Sequence, residues 1–108
     1  MQTVQCTGWW EQDGLGRQPM ETLRLRFEEH QIVGAGTDVV GEFTLHGLVK
    51  ESDVTIQKQY IDAHTVDYHG TFDGEGTLQG VWSILGVGGR WLIKVVGLEH
   101  GSAEIQDL

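Results

Sequence analysis

The 108-residue chain carries a formal charge of −9, from 16 acidic and 7 basic residues, and 39% of it is hydrophobic. That balance disfavours nucleic-acid phosphates and anionic membrane surfaces as partners, and the apolar content is too high for a disordered chain. The length predicts one domain, placed over residues 1–98, with a polar tail at 99–108.

The N-terminal run "MQTVQCTGWW" has neither a basic segment nor a long apolar stretch, so neither a signal peptide nor a membrane span is expected. Cys6 is the single cysteine. It permits no intrachain disulfide and reads as a small buried apolar group, consistent with a cytoplasmic protein. "EQDGLGRQPM", residues 11–20, holds the lone proline and reads as the longest loop. Beyond it, "LRLRF" sets Leu23, Leu25 and Phe27 against Arg24 and Arg26. In "GAGTDVVG" the glycines do not fall at dinucleotide-loop spacing. The segment reads instead as a strand on which a bulky ring, a Trp, lies close to the backbone, with Asp38 making the turn.

Alternation continues down the chain. "GEFTLHG" places Phe43 and Leu45 on one face, and "VTIQKQY" places Val54, Ile56, Lys58 and Tyr60 on one face. "HTVDYHGTF" gives His64, Val66, Tyr68 and Phe72; "TLQGVWSIL" gives Leu78, Trp82 and Ile84; "RWLIKVV" gives Trp91, Ile93 and Val95. Period two is the mark of half-buried antiparallel strands. The breaks at "KESD" (50–53), "IDAH" (61–64), "DGEG" (73–76) and "GVGG" (86–89) predict short connections, the last two as tight hairpins. Seven or eight strands in sequence order, joined by short turns, predict an all-β, antiparallel up-and-down barrel, because closure removes the two raw edges of a flat meander. A two-sheet sandwich is the alternative.

Four segments in order carry a family resemblance. Gly8-x-Trp10 in "TGWW" resembles the first-strand motif of the avidin and streptavidin family and of lipocalins. "YIDAHT" resembles the avidin-type Y-x-x-A-H-S, "GVWSIL" a late strand with an inward Trp, and "VVGLE" a final strand ending in V-G-x-D. The resemblance implies a small avidin-like barrel. It does not carry biotin with it. Ile56 stands where the family has a ligand-binding Trp, and Phe43 where it has a hydrogen-bonding Tyr. Asp67 replaces a second hydroxyl. Thr65 keeps the serine's hydroxyl, Trp82 matches the inward Trp, and Glu99 stands for the terminal acid. The biotin site is expected to be absent or remodelled.

Two readings of the inward aromatics Trp10, Tyr60, Tyr68, Trp82 and Trp91 stand side by side: a filled core, or an aromatic-lined pocket at the barrel mouth. Lys58 sits on an apolar stripe. An inward lysine is costly unless paired, so it either holds an anionic ligand, is turned outward by a bulge, or meets an internal carboxylate, Asp38 or Glu99. His64 at a strand start either caps a loop or joins the pocket. His30, His46, His69 and His100 show no metal spacing, and no cofactor motif is found.

The leading expectation is a non-catalytic binding module. It takes a small-molecule or peptide ligand at a mouth lined by Trp10, Lys58, Tyr60, His64, Tyr68 and Trp82, with Lys58 supplying charge. The alternatives are a structural or protein-interaction barrel with a filled core, dimerising through an outer patch of Val81, Leu85, Leu92 and Val96 with Trp9, and a small enzyme using Lys58, Tyr60 and His64. No Ser-His-Asp signature or inward carboxylate pair supports catalysis.

Overall fold

A computed structural model describes residues 3–98 of the chain. The tail 99–108, and with it Glu99 and His100, lies outside the described residues. Eight strands run in sequence order: β1 (Thr3–Gln12), β2 (Gly16–Glu28), β3 (Gln31–Thr37), β4 (Glu42–Lys50), β5 (Asp53–Tyr60), β6 (Thr65–Phe72), β7 (Thr77–Ile84) and β8 (Val87–Leu98). Each pairs antiparallel with its neighbours, and β1 pairs with β8, so the sheet closes into an up-and-down barrel. Closure satisfies every strand edge and gives the inward stripe of each strand an interior to fill, which is why the sandwich alternative does not arise.

The barrel has two unlike halves. Leu25, Ile32, Leu45, Ile56, Leu78 and Ile93 are all 0–1% exposed and fill the half nearer the termini. Phe27 and Phe72 stack there with ring centroids 5.5 Å apart. The other half, toward the β1–β2, β3–β4, β5–β6 and β7–β8 connections, is built from aromatic side chains. Cys6 is buried, and burial pushes its thiol up to about 12, so it stays protonated and inert.

Between the halves the wall is creased where Gly70 of β6 pairs with Gly80 of β7. A Cβ on Gly80 would lie 1.9 Å from the His69 carbonyl oxygen, and one on Gly70 1.9 Å from that of Gln79. The bare backbone admits the Trp91 indole, whose Nε1 donates to the carbonyls of Val81 at 3.0 Å and His69 at 3.2 Å.

Three local expectations are corrected. Residues 11–20 are a hairpin rather than a long loop. Turn chemistry is confined to Asp13–Leu15, Gly14 and Gly16 take positive φ (83° and 81°), and Glu11 binds Arg17 across the pair. Pro19 fits in β2 because β2–β3 pairing stops at Glu21↔Thr37, which leaves Pro19 without a ladder on that side. The last hairpin turns at Leu85–Gly86 (φ 50° and 82°), not over 86–89; Gly88 and Gly89 belong to β8, where Gly89 admits the Glu11 carbonyl. The ring against Gly36 is Phe43, not a Trp.

Gly80→Ala is expected to destabilise the barrel by about 2 kcal/mol or more. Gly97→Ala, where a Cβ meets nothing within 4 Å, should change stability by no more than about 0.5 kcal/mol. Urea denaturation of the two variants checks the contrast.

Candidate functional site

Lys58 lies inside the barrel, 1% exposed, two residues below Tyr60 on β5. Its partner is Asp38, whose side chain reaches in from the β3–β4 connection and is itself 0% exposed; Nζ and Oδ2 are 2.6 Å apart. Asp38 Oδ2 also accepts from Tyr60 OH at 2.7 Å and Trp10 Nε1 at 3.1 Å, and Oδ1 accepts from the Val40 amide at 2.9 Å. The remaining donor capacity of Nζ goes to Tyr68 OH at 3.1 Å and Met20 Sδ at 3.6 Å. Its charge also sits 4.2 Å from the Phe43 ring centroid, a cation–π contact. The three ammonium protons thus have three acceptors, and no buried side-chain polar atom among the described residues lacks a partner.

Burial and pairing oppose each other in this cluster. Burial lowers Lys58 from 10.5 to about 8 although Asp38 pulls the other way. Burial alone would raise Asp38, but the Lys58 hydrogen bond and charge, with Tyr60 and the Val40 amide, hold its carboxyl below the usual value. Both phenols are raised, Tyr60 by burial and then Asp38, and Tyr68 by burial and then the Asp38 charge. At neutral pH the cluster is an ion pair flanked by two neutral phenols.

Above it lies a cavity of about 290 Å³ that opens at the mouth. Trp10, Tyr60, Tyr68 and Trp82 form its aromatic walls, and Val66, Ile84, Val40 and Val87 add aliphatic surface. Trp10 and Trp82 meet edge to face at 5.8 Å, and Trp82 Nε1 donates to the Glu11 carbonyl at 2.9 Å.

Five of the six sequence-predicted residues, Trp10, Tyr60, His64, Tyr68 and Trp82, therefore come together around one cavity. Lys58 does not line it; it lies beneath, with its charge spent on Asp38. His64 is not an inward strand residue. It is exposed in the connection before β6 and stands at the rim, its ring 5.0 Å from that of Tyr60. Sequence reasoning missed Val40 and Val87 as lining groups. Their signal was present, since aliphatic residues beside turns have no core to fill.

Of the avidin-type hydrogen-bonding positions, Thr65 donates to Gln59 and Asp67 is exposed on the outer wall, so neither faces the cavity. His46 and His69 lie two strands apart in different registers, and no His, Cys, Asp and Glu group among the described residues suits a metal. On the outer wall Val81 and Val96 are 57% and 64% exposed, whereas Trp9 is covered by the Arg17 guanidinium at 3.7 Å. Leu85 is not on that wall; it is the tip of the β7–β8 turn. Comparison with protein-family models, curated proteins and solved structures finds no match to this chain.

Lys58→Met, which strands a buried carboxylate, is expected to cost about 3–5 kcal/mol at pH 7. Asp38→Asn, which strands the ammonium, should cost a similar amount, whereas the double variant Asp38→Asn/Lys58→Met should recover at least half of the summed loss. Strictly additive losses in urea denaturation would contradict the coupling.

The pH dependence has a defined sign. Between about 8 and 10.5 the unfolded chain holds the Lys58 proton more tightly than the folded one, so stability should rise across that window. Above it the raised phenols reverse the trend, as unfolded tyrosines ionise first. At the acid end, the Asp38 contribution should be lost as pH falls below about 4. Thermal midpoints of wild type and Lys58→Met measured from pH 7 to 10 check the lysine term: the rise should vanish in the variant.

Proposed function

We propose that the barrel is a non-catalytic binding module that takes a small molecule in the cavity at its mouth. One observation supports this above others. The barrel is packed solid at one end, while at the other an aromatic-walled cavity of about 290 Å³ opens to solvent. That is the low end of the range for small-ligand sites, and the mouth of a barrel is a usual place for one. A core evolved only for packing would close this space, since each unfilled volume weakens it. The avidin-like reading rests on motif order and architecture; Trp82 keeps its inward place, but Ile56 and Phe43 stand at two ligand positions and Thr65 and Asp67 do not face the cavity.

A protein-interaction barrel is the second reading, favoured by the exposure of Val81 and Val96 on the outer wall beside Leu92. Catalysis by Lys58, Tyr60 and His64 has less support. The lysine's protons are all engaged at the buried floor, and the Tyr60 phenol is pushed up, away from acid–base work near neutrality.

Native mass spectrometry of the protein recovered from its own cells tests the leading reading. A non-covalent small-molecule adduct is expected, and Val87→Trp, which places an indole across the mouth, should reduce its occupancy at least tenfold. An adduct indifferent to that substitution, or two-fold dimers with no adduct, would favour the outer wall instead.

A further inference from the structure

We infer that the binding site extends beyond the cavity. The loop tips around it form an aliphatic collar that grips the shaft of an amphiphilic small molecule, whose apolar end is seated inside and whose polar end stays in water. This inference rests on the cavity being a ligand site.

Two observations carry it. The first is the distribution of exposed apolar residues. Nine large hydrophobic side chains are exposed among the described residues. Six of them, Leu15, Val39, Val40, Ile61, Leu85 and Val87, stand on or beside the four connections at the mouth. The connections at the opposite end, Glu29–His30, Glu51–Ser52 and 73–76, carry no large apolar residue. Water contact is equal at both ends, so solubility alone does not account for the asymmetry. Leu85 is the sharpest case. It is 96% exposed and holds a positive φ of 50°, a conformation suited to Asn or Gly. It is unfavourable in hydration and in backbone geometry, and no packing contact within the barrel compensates.

The second observation fixes orientation. Apart from the Tyr68 hydroxyl, which accepts from Lys58, the polar groups at the cavity floor are spent on one another. Asp38 and Lys58 neutralise each other, and Trp10 Nε1, Trp82 Nε1 and Tyr60 OH all donate internally. A charged or strongly polar head seated there would lose its hydration without a partner. The geometry lets a chain entering apolar end first meet aromatic walls, then Val40, Val87 and Leu85 at the cavity edge, then Ile61 beyond it.

Displacement of the neutral fluorophore N-phenyl-1-naphthylamine by hexanol, octanol and decanol, with decanoate and decyltrimethylammonium alongside, provides the test. Affinity should rise about fourfold per added methylene, with the three ten-carbon heads within a few-fold of one another. Leu85→Asn, which suits the turn, should weaken decanol at least fivefold and hexanol no more than about twofold. Probe binding with affinity flat in chain length, or acetate outcompeting hexanol, overturns the collar while leaving the cavity as a ligand site. No probe uptake at all, with a dimer in sedimentation that Leu85→Asn dissolves, overturns both.

Discussion

The buried pair of Asp38 and Lys58 is the constraint on which the upper half of the barrel depends. Taking two charges out of water costs several kcal/mol per ion, and attraction alone rarely offsets that cost. Here the offset is assembled from four elements. β1 supplies the Trp10 indole N–H, β5 supplies Lys58 and Tyr60, β6 supplies the Tyr68 hydroxyl, and the β3–β4 connection supplies the carboxylate. Trp10 and Tyr60, which donate to the carboxylate, and Tyr68, which accepts from the ammonium, each have a ring fixed by the pair. The orientation of three of the four aromatic walls, Trp10, Tyr60 and Tyr68, is therefore set from below by hydrogen bonds rather than by packing alone.

The same pair explains why the two halves differ. Aliphatic residues close the lower half without polar atoms, and at the boundary Gly80 leaves the His69 carbonyl clear of a Cβ, where it accepts from the Trp91 N–H. Above that boundary Asp38 draws the β3–β4 connection inward, and its Oδ1 holds the Val40 amide. Val40 thereby joins the cavity wall while remaining half exposed. A loop position is thus converted into a cavity-wall position by one carboxylate.

Much of this was legible in the sequence, and what was not has a physical reason. Strand residues obey period two, so Lys58, Trp10, Tyr60, Tyr68, Trp82 and Trp91 were all placed inward from parity alone. Asp38 is one of two carboxylates the sequence offers Lys58, because a buried cation demands an anion. Periodicity says nothing about turns. Hence alternation alone leaves the hairpin at residues 11–20 looking like a loop, sets the last turn after Leu85, and carries His64 onto a strand that begins one residue later. The ring on Gly36 was assigned to a Trp rather than Phe43 because which side chain crosses a glycine depends on cross-strand register, which alternation leaves open.

Why the barrel keeps an ion pair where Met and Leu would pack has an answer in loop position rather than net stability. An apolar pair of similar volume would fill the space as well or better. It could not select one geometry for the β3–β4 connection, because apolar contacts are non-directional. The carboxylate can be satisfied in only one place, where three donors converge on Oδ2 and a backbone amide on Oδ1. That directional requirement keeps Val39 and Val40 at the mouth and keeps the floor electrically neutral. An apolar cavity under an aliphatic rim can exist above a lysine only because the charge of that lysine is fully answered from the loop.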